Sequence, residues 1–256
     1  MTARIAVSHL TKRFGGIVAL DDVSFEAMGG EITGIIGPNG AGKTTLFNTI
    51  AGEHQPTAGT IHFDGRALAG MSAGAVARMG LVRTFQMTTV FPGCTVIENL
   101  RRAALFRRFA SPLAFFRVVR TARMRREAAE IADRVLGTIG LEKLADAAAD
   151  SLAYGQQKVL GVGLALTAMP SMMLMDEPAA GLNPIETEEM GDLIARIHGD
   201  GIDVILVEHD VKMVMRLCKR IVVLANGRLL ACGSAQDVRE NPDVIEAYLG
   251  ADIENA

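Results

Sequence analysis

The chain has 256 residues, 49% hydrophobic and 21% charged, an ordinary globular composition that fits one large domain or one domain with a sizeable insertion. Its net charge of −3 argues against a general nucleic-acid binder, which carries a strong basic excess. Three widely spaced cysteines (Cys94, Cys218, Cys232), with no CxxC pair, argue against zinc or disulfides and read as thiols in a reducing compartment.

In chain order, Met1-Thr2-Ala3-Arg4-Ile5 has no apolar leader and runs straight into a strand-like segment. Short β-rich segments are predicted at Ile5–Leu10, Val18–Phe25 and Ile61–Phe63, with turns at Gly15-Gly16 and Gly29-Gly30. Ile32–Ile36 is a short apolar run of buried-strand type, followed by a Gly-rich loop and then a helical pattern through Leu46–Ala51. From about Glu98 to Asp150 long Ala/Arg/Leu/Glu helices suggest an inserted helical subdomain, spanning approximately residues 98–165 of a single domain. The longest uncharged run, Val159–Met175, is shorter than the ~20 apolar residues of a spanning helix. Interrupted by Pro170 and Ser171, it reads as a buried helix, a turn and a buried strand. If the protein works at a membrane, other chains supply the spans.

Strand-like runs return at Met172–Met175, Val204–Val207 and Ile221–Leu224 with helices between them, which implies an α/β fold with a parallel sheet covered by helices. Asn226-Gly227 is a hairpin signal, because both residues tolerate positive φ. One stretch is biased: residues 100–126 hold nine arginines and no acid, with Phe106, Phe109, Phe115 and Phe116 interleaved. A solvated helix face with inward phenylalanines is the first reading. A surface for anionic lipid or a partner's acidic loops is the second.

Gly37-Pro38-Asn39-Gly40-Ala41-Gly42-Lys43-Thr44 has the GxxxxGK[ST] form, in which glycines let the backbone curl so that its N–H groups face phosphate. The helix that follows adds its positive N-terminus. Lys43 is expected to neutralise the β- and γ-phosphates of ATP, and the Thr44 hydroxyl to ligate Mg²⁺, with Thr45 the next residue at the nucleotide. Met172-Met173-Leu174-Met175-Asp176-Glu177 describes a central strand that delivers Asp176 to the Mg²⁺ site. Glu177 directly after it is placed to polarise the attacking water as general base.

These motifs, with others in the same order, resemble those of the ATP-binding cassette (ABC) transporter ATPases from Phe14 to His209, nearly the whole chain. The resemblance implies a P-loop core with a parallel sheet, plus an antiparallel β subdomain and an inserted helical subdomain. On the same basis Phe14 is expected to stack on adenine. Gln86, in Arg83-Thr84-Phe85-Gln86, would sense Mg²⁺ and water and couple to the membrane partner. Leu152-Ala153-Tyr154-Gly155-Gln156 stands in the place of the signature sequence, and Glu177–Asn183 in that of the loop after the acidic strand. His209 matches the histidine that contacts the γ-phosphate.

Within the family, the chain is most similar to the ATPase subunits of branched-chain amino-acid importers. This rests on Arg83–Gln86, the Arg-rich stretch, the Ala153 form of the signature and the tail Asn241–Gly250. The resemblance implies a homologous ATPase subunit as partner (a sister or a second copy), two transmembrane permease subunits and, indirectly, a solute-binding protein, with no nucleic acid. The location implied is the cytoplasmic side of the membrane. Two departures from the wider family's pattern remain: Ala153 replaces the usual Ser, a form expected for this subgroup, and Gly161 and Leu164 stand where the family often has an acid and an arginine. They motivate one rival, a nucleotide-binding adaptor with impaired hydrolysis. A soluble ABC ATPase unconnected to transport is the other.

Overall fold

The computed structural model describes residues 2–84, 90–91, 93–106 and 122–247. Two sheets organise them. β1 (Ala3–Phe14), β2 (Ile17–Met28), β4 (Ala58–Phe63) and β5 (Arg66–Ala67) form an antiparallel sheet in the order β2-β1-β4-β5. The second sheet has the order β10-β9-β3-β8-β7-β6. Its members are β3 (Ile32–Ile36), β6 (Leu81–Arg83), β7 (Met172–Asp176), β8 (Asp203–Val207), β9 (Arg220–Ala225) and β10 (Arg228–Gly233). All its pairings are parallel except the β9–β10 hairpin. The hairpin turn is Asn226-Gly227, with φ of 48° and 76°, as its residue types predict.

The near-continuous apolar runs of β7, β8 and β9 arise because both faces of this sheet are covered. Leu174, Ile205, Val207, Val222 and Leu224 turn to one core, shared with Ile5, Leu10 and Leu20 of the antiparallel sheet. Leu46, Phe47 and Ile50 of α1 (Lys43–Ile50) fill the same space. The alternate residues Met173, Met175, Val204, Leu206, Ile221 and Val223 face a second core made with helices. A period of two along each strand thus assigns every side chain to one layer or the other.

After α2 (Ala73–Arg78), the helices of the second core are α3 (Val96–Phe106), α4 (Ala122–Ile139), α5 (Tyr154–Leu166), α6 (Pro184–Gly199) and α7 (Val211–Leu217). A further helix, α8 (Ala235–Glu240), follows β10. Gly163 lets α5 approach α3 and α4 closely, since a Cβ there would lie 2.7 Å from Ile139 Cδ1 and 3.3 Å from Leu100 Cδ2. Gly161 does not interrupt α5, and Leu164 packs against the core. The strand, helix and turn expectations near Ile32–Ala51 and Val159–Met175 hold. The three-residue β6 carries no periodic signal of its own and was not anticipated.

A buried polar side chain ties α3 to the loop before it. Asn99 is fully buried; its Oδ1 accepts from Phe91 N at 2.6 Å and its Nδ2 donates to Thr95 O at 2.9 Å. Asn99→Ala removes both of these side-chain bonds from a buried site. The expected loss is about 2 kcal/mol of stability, read as a lower urea midpoint at unchanged slope. Among the described residues no helix is long and apolar enough to cross a membrane.

Candidate functional site

Because β3, β7 and β8 run parallel, their C-terminal ends emerge on one edge of the sheet, where α/β folds bind ligands. That register brings together the loop after β3, the acids ending β7 and the histidine after β8, residues far apart in the chain. Asp176 pairs with Val207, and Val207 with Ile35. Every residue from Asn39 to Thr45 lines one cleft of about 530 Å³, together with Glu177, His209, Ile17, Val18 and the turn Asn226-Gly227. Gly227 N donates to Ala41 O at 3.1 Å, so the predicted hairpin turn is also a wall of the phosphate loop.

The loop has the backbone its glycines promise. Gly37, Gly40 and Gly42 have φ of 154°, 78° and 97°, and Gly42 caps α1, whose N-terminus opens on the cleft. The Lys43 amine donates to Gly37 O at 2.6 Å and Pro38 O at 3.0 Å, and thereby braces the loop from within. Burial holds this amine below its ordinary pKa, opposed by the carboxylates of Glu177 and Asp176.

Asp176 is 2% exposed, and burial pushes its carboxyl up, opposed by the hydrogen bond and charge of Arg83. Its two oxygens differ: Oδ2 accepts from the Arg83 guanidinium at 2.7 Å, while Oδ1 is buried and has no hydrogen-bond partner. An unsatisfied anionic oxygen beside a phosphate loop with a threonine hydroxyl is a fitting donor set for a hard cation such as Mg²⁺.

Glu177 has φ of 48°, a left-handed conformation rare outside glycine and costing about 1–3 kcal/mol. The surroundings hold it there: Glu177 N donates to Val207 O at 2.9 Å, and its carbonyl accepts from Ala180 N at 3.1 Å and from the Lys158 amine at 3.4 Å. The carboxylate Oε1 lies 2.9 Å from His209 Nε2, so His209 orients the expected base. Glu208, which the sequence did not single out, is buried; its Oε1 accepts from Ala179 N at 2.7 Å and Oε2 from His209 N at 3.1 Å. It thereby pins the two loops that carry Glu177 and His209. Burial pushes the Glu208 carboxyl up, opposed by the backbone N–H groups of Ala179, His209 and Asp210.

Phe14 is half-exposed and lies outside the cleft lining, with the Lys12 amine 4.8 Å from its ring centroid and His54 edge-on at 5.2 Å. Ile17 and Val18 provide the apolar surface on that side. Gln86 and most of the Arg-rich stretch, including Phe109, Phe115 and Phe116, lie outside the described residues.

The signature-like residues are not in the cleft lining. Ala153 is the N-cap of α5; having no side-chain oxygen it makes no side-chain cap, but its N–H donates to Gln156 Oε1 at 3.2 Å and its carbonyl accepts from Gln157 N at 2.9 Å. Tyr154 is 53% exposed, and its hydroxyl donates to Ala180 O at 3.3 Å. Gly155 packs on Glu186, where a Cβ would lie 2.6 Å from the carboxylate. The start of α5 is therefore braced against the loop that follows Glu177.

A profile of the ABC transporter family matches residues 20–180, more than half of the chain. The chain belongs to the ABC transporter family. A second profile, for branched-chain amino acid ATP-binding cassette transporters, matches residues 228–254 of this cassette. The cassette is 42% identical over 248 residues to the high-affinity branched-chain amino acid transport ATP-binding protein BraF of Pseudomonas aeruginosa, covering 96% of this chain and 97% of that protein. It is 44% identical over 250 residues to LivG of Salmonella typhimurium, with the same coverage of 96% and 97%. An ABC transporter cassette solved in its ADP conformation superposes with a TM-score of 0.86 at 31% identity, over 98% of this chain and 100% of that one. The cassette is thus a P-loop ATPase of the transporter type, with the α/β architecture its sequence implied.

Proposed function

We propose that this cassette is the ATP-hydrolysing subunit of an importer of branched-chain amino acids or a related small solute. What carries the reading is the gathering of Lys43, Asp176, Glu177 and His209 at one sheet edge, in a chain alike to BraF and LivG along nearly its full length.

In this reading the loop Gly37–Thr44 cradles the phosphates of ATP with its N–H groups and the Lys43 charge. The Thr44 hydroxyl and Asp176 Oδ1, with Gln86, would hold Mg²⁺, which when bound would neutralise phosphate charge. Glu177 takes a proton from a water as that water's oxygen attacks the γ-phosphorus, and the bond to the ADP oxygen breaks. His209 fixes the carboxylate during that transfer and reaches toward the γ-phosphate. Phe14 and the Ile17-Val18 surface hold adenine.

The signature residues Ala153, Tyr154, Gly155 and Gln156 point the reading to a second subunit. Two ATPase subunits, sisters or copies, face head to tail, each closing its Ala153–Gln156 loop over the other's nucleotide. The helices of residues 98–165 form the subdomain that carries this loop. Two permease subunits receive the motion through the segment around Gln86, on the cytoplasmic face of the membrane, and a solute-binding protein delivers the solute. Ala153 removes one donor to the opposite phosphate, worth about 1.5–3 kcal/mol, while the α5 N-terminus remains. The intact Glu177–His209 pair favours an active ATPase over the adaptor.

The test is reconstitution in proteoliposomes with the cognate permease and binding protein, following leucine uptake and phosphate release together. Uptake is expected to require ATP and this chain, and the isolated chain to be a poor ATPase. Leucine uptake that proceeds without the chain, or ATP turnover that no binding protein stimulates, sinks the importer reading.

A further inference from the structure

Arg83 stands three residues before Gln86, at the end of the edge strand β6, and its side chain is only 14% exposed. It meets three separate parts of the fold. One terminal nitrogen donates to Asp176 Oδ2 at 2.7 Å, at the end of the neighbouring strand β7. The other donates to Asn48 Oδ1, on the helix that opens with Lys43 and Thr44, and lies 3.0 Å from Glu53 Oε1 just beyond it. The guanidinium also lies over the ring of Phe47, 6.0 Å from its centroid. Asn48 has its amide nitrogen 3.4 Å from His54 Nε2, so both ends of that amide are engaged and its orientation is determined.

A carboxylate has two equivalent oxygens until something distinguishes them. Here Oδ2 is occupied by Arg83 and Oδ1 is left buried with no partner. A lone buried Asp–Arg pair gives little net stability, because desolvation offsets the attraction. A fork that spans Asp176, Asn48 and Glu53 at once does something else. It makes the carboxylate's angle depend on the position of the phosphate-loop helix and of the strand running toward Gln86.

We propose that Arg83 is a positioning residue for the cation site: it clamps Asp176 so that Oδ1 faces the metal, and links that oxygen to the strand that leads into Gln86. The proposal rests on the Mg-ATP reading of the cleft. Planar, two-armed geometry is what the role requires, which an ammonium does not supply.

The test uses the full chain with a non-hydrolysable ATP analogue and Mn²⁺ as the probe, followed by electron paramagnetic resonance. Affinity for the analogue in EDTA is measured in parallel. Arg83→Met is expected to weaken Mn²⁺ binding about 10–100-fold, as loss of an outer-shell partner does, with analogue affinity in EDTA within about 3-fold of the parent. If Arg83→Met lowers the melting temperature but leaves Mn²⁺ affinity unchanged, the residue is merely structural and the proposal falls. Should Arg83→Met fail to fold, Arg83→Lys decides, since its ammonium keeps the charge but cannot span all three partners. A several-fold weakening supports the clamp, and Mn²⁺ binding equal to the parent's overturns it. Failure of the parent chain to bind the analogue would instead overturn the reading of the cleft, a distinguishable outcome.

Discussion

Glu177→Gln is expected to keep ATP binding and to lower phosphate release by about 100- to 10,000-fold, the range for loss of a positioned general base. The substitution keeps the size of the side chain and a polar partner for His209 Nε2, 2.9 Å from the carboxylate in the parent. It also keeps the backbone bonds that hold residue 177 in its left-handed conformation. What disappears is the ability to take a proton from water. Binding is read by a fluorescent ATP analogue and hydrolysis by phosphate release, both in the permease complex. Turnover at the parent's rate would remove Glu177 from the role of base. His209→Ala, which leaves Glu177 chemically competent but unsupported, separates orientation from proton transfer.

Gly37→Ala is expected to destabilise the fold and disable the phosphate loop together. A Cβ at Gly37 would lie 2.1 Å from the Leu224 carbonyl oxygen and 3.1 Å from the Ala41 Cβ, and the φ of 154° is itself poor for an L side chain. Leu224 is fully buried near the C-terminal end of β9, so the contact is relieved only by moving the sheet or the loop. Overpacking and backbone strain each cost about 1–3 kcal/mol, so a combined loss near 3 kcal/mol or more is expected. Chemical denaturation measures it. Nucleotide affinity should fall as well, because Gly37 O also accepts from the Lys43 amine. A variant with parent-like stability and affinity would show that the loop absorbs the methyl group, against the close packing described.

Much of the site was legible because its signals are local. A glycine pattern that requires positive φ, a buried strand ending in two acids and an Asn-Gly turn are each written within about eight residues. The order of these signals placed them on one parallel sheet, and the shared direction of β3, β7 and β8 did the rest. Gln86 lies among the residues not described, so its expected role rests on the resemblance alone.

By itself, then, the sequence determined the phosphate loop, the acidic strand end, the alternating layers of the central sheet and the family. Tertiary structure decided the pairings that have no periodicity to announce them. Arg83 sits in a three-residue strand beside a glycine, and no local pattern says that its fork reaches Asn48, Glu53 and Asp176. Nor does any pattern show that Asn226-Gly227 walls the loop of residues 37–44 as well as turning a hairpin. The cleft at that loop is lined by residues from five separate stretches of chain, the loop itself among them. Such contacts depend on strand register and helix position, which only the folded sheet establishes.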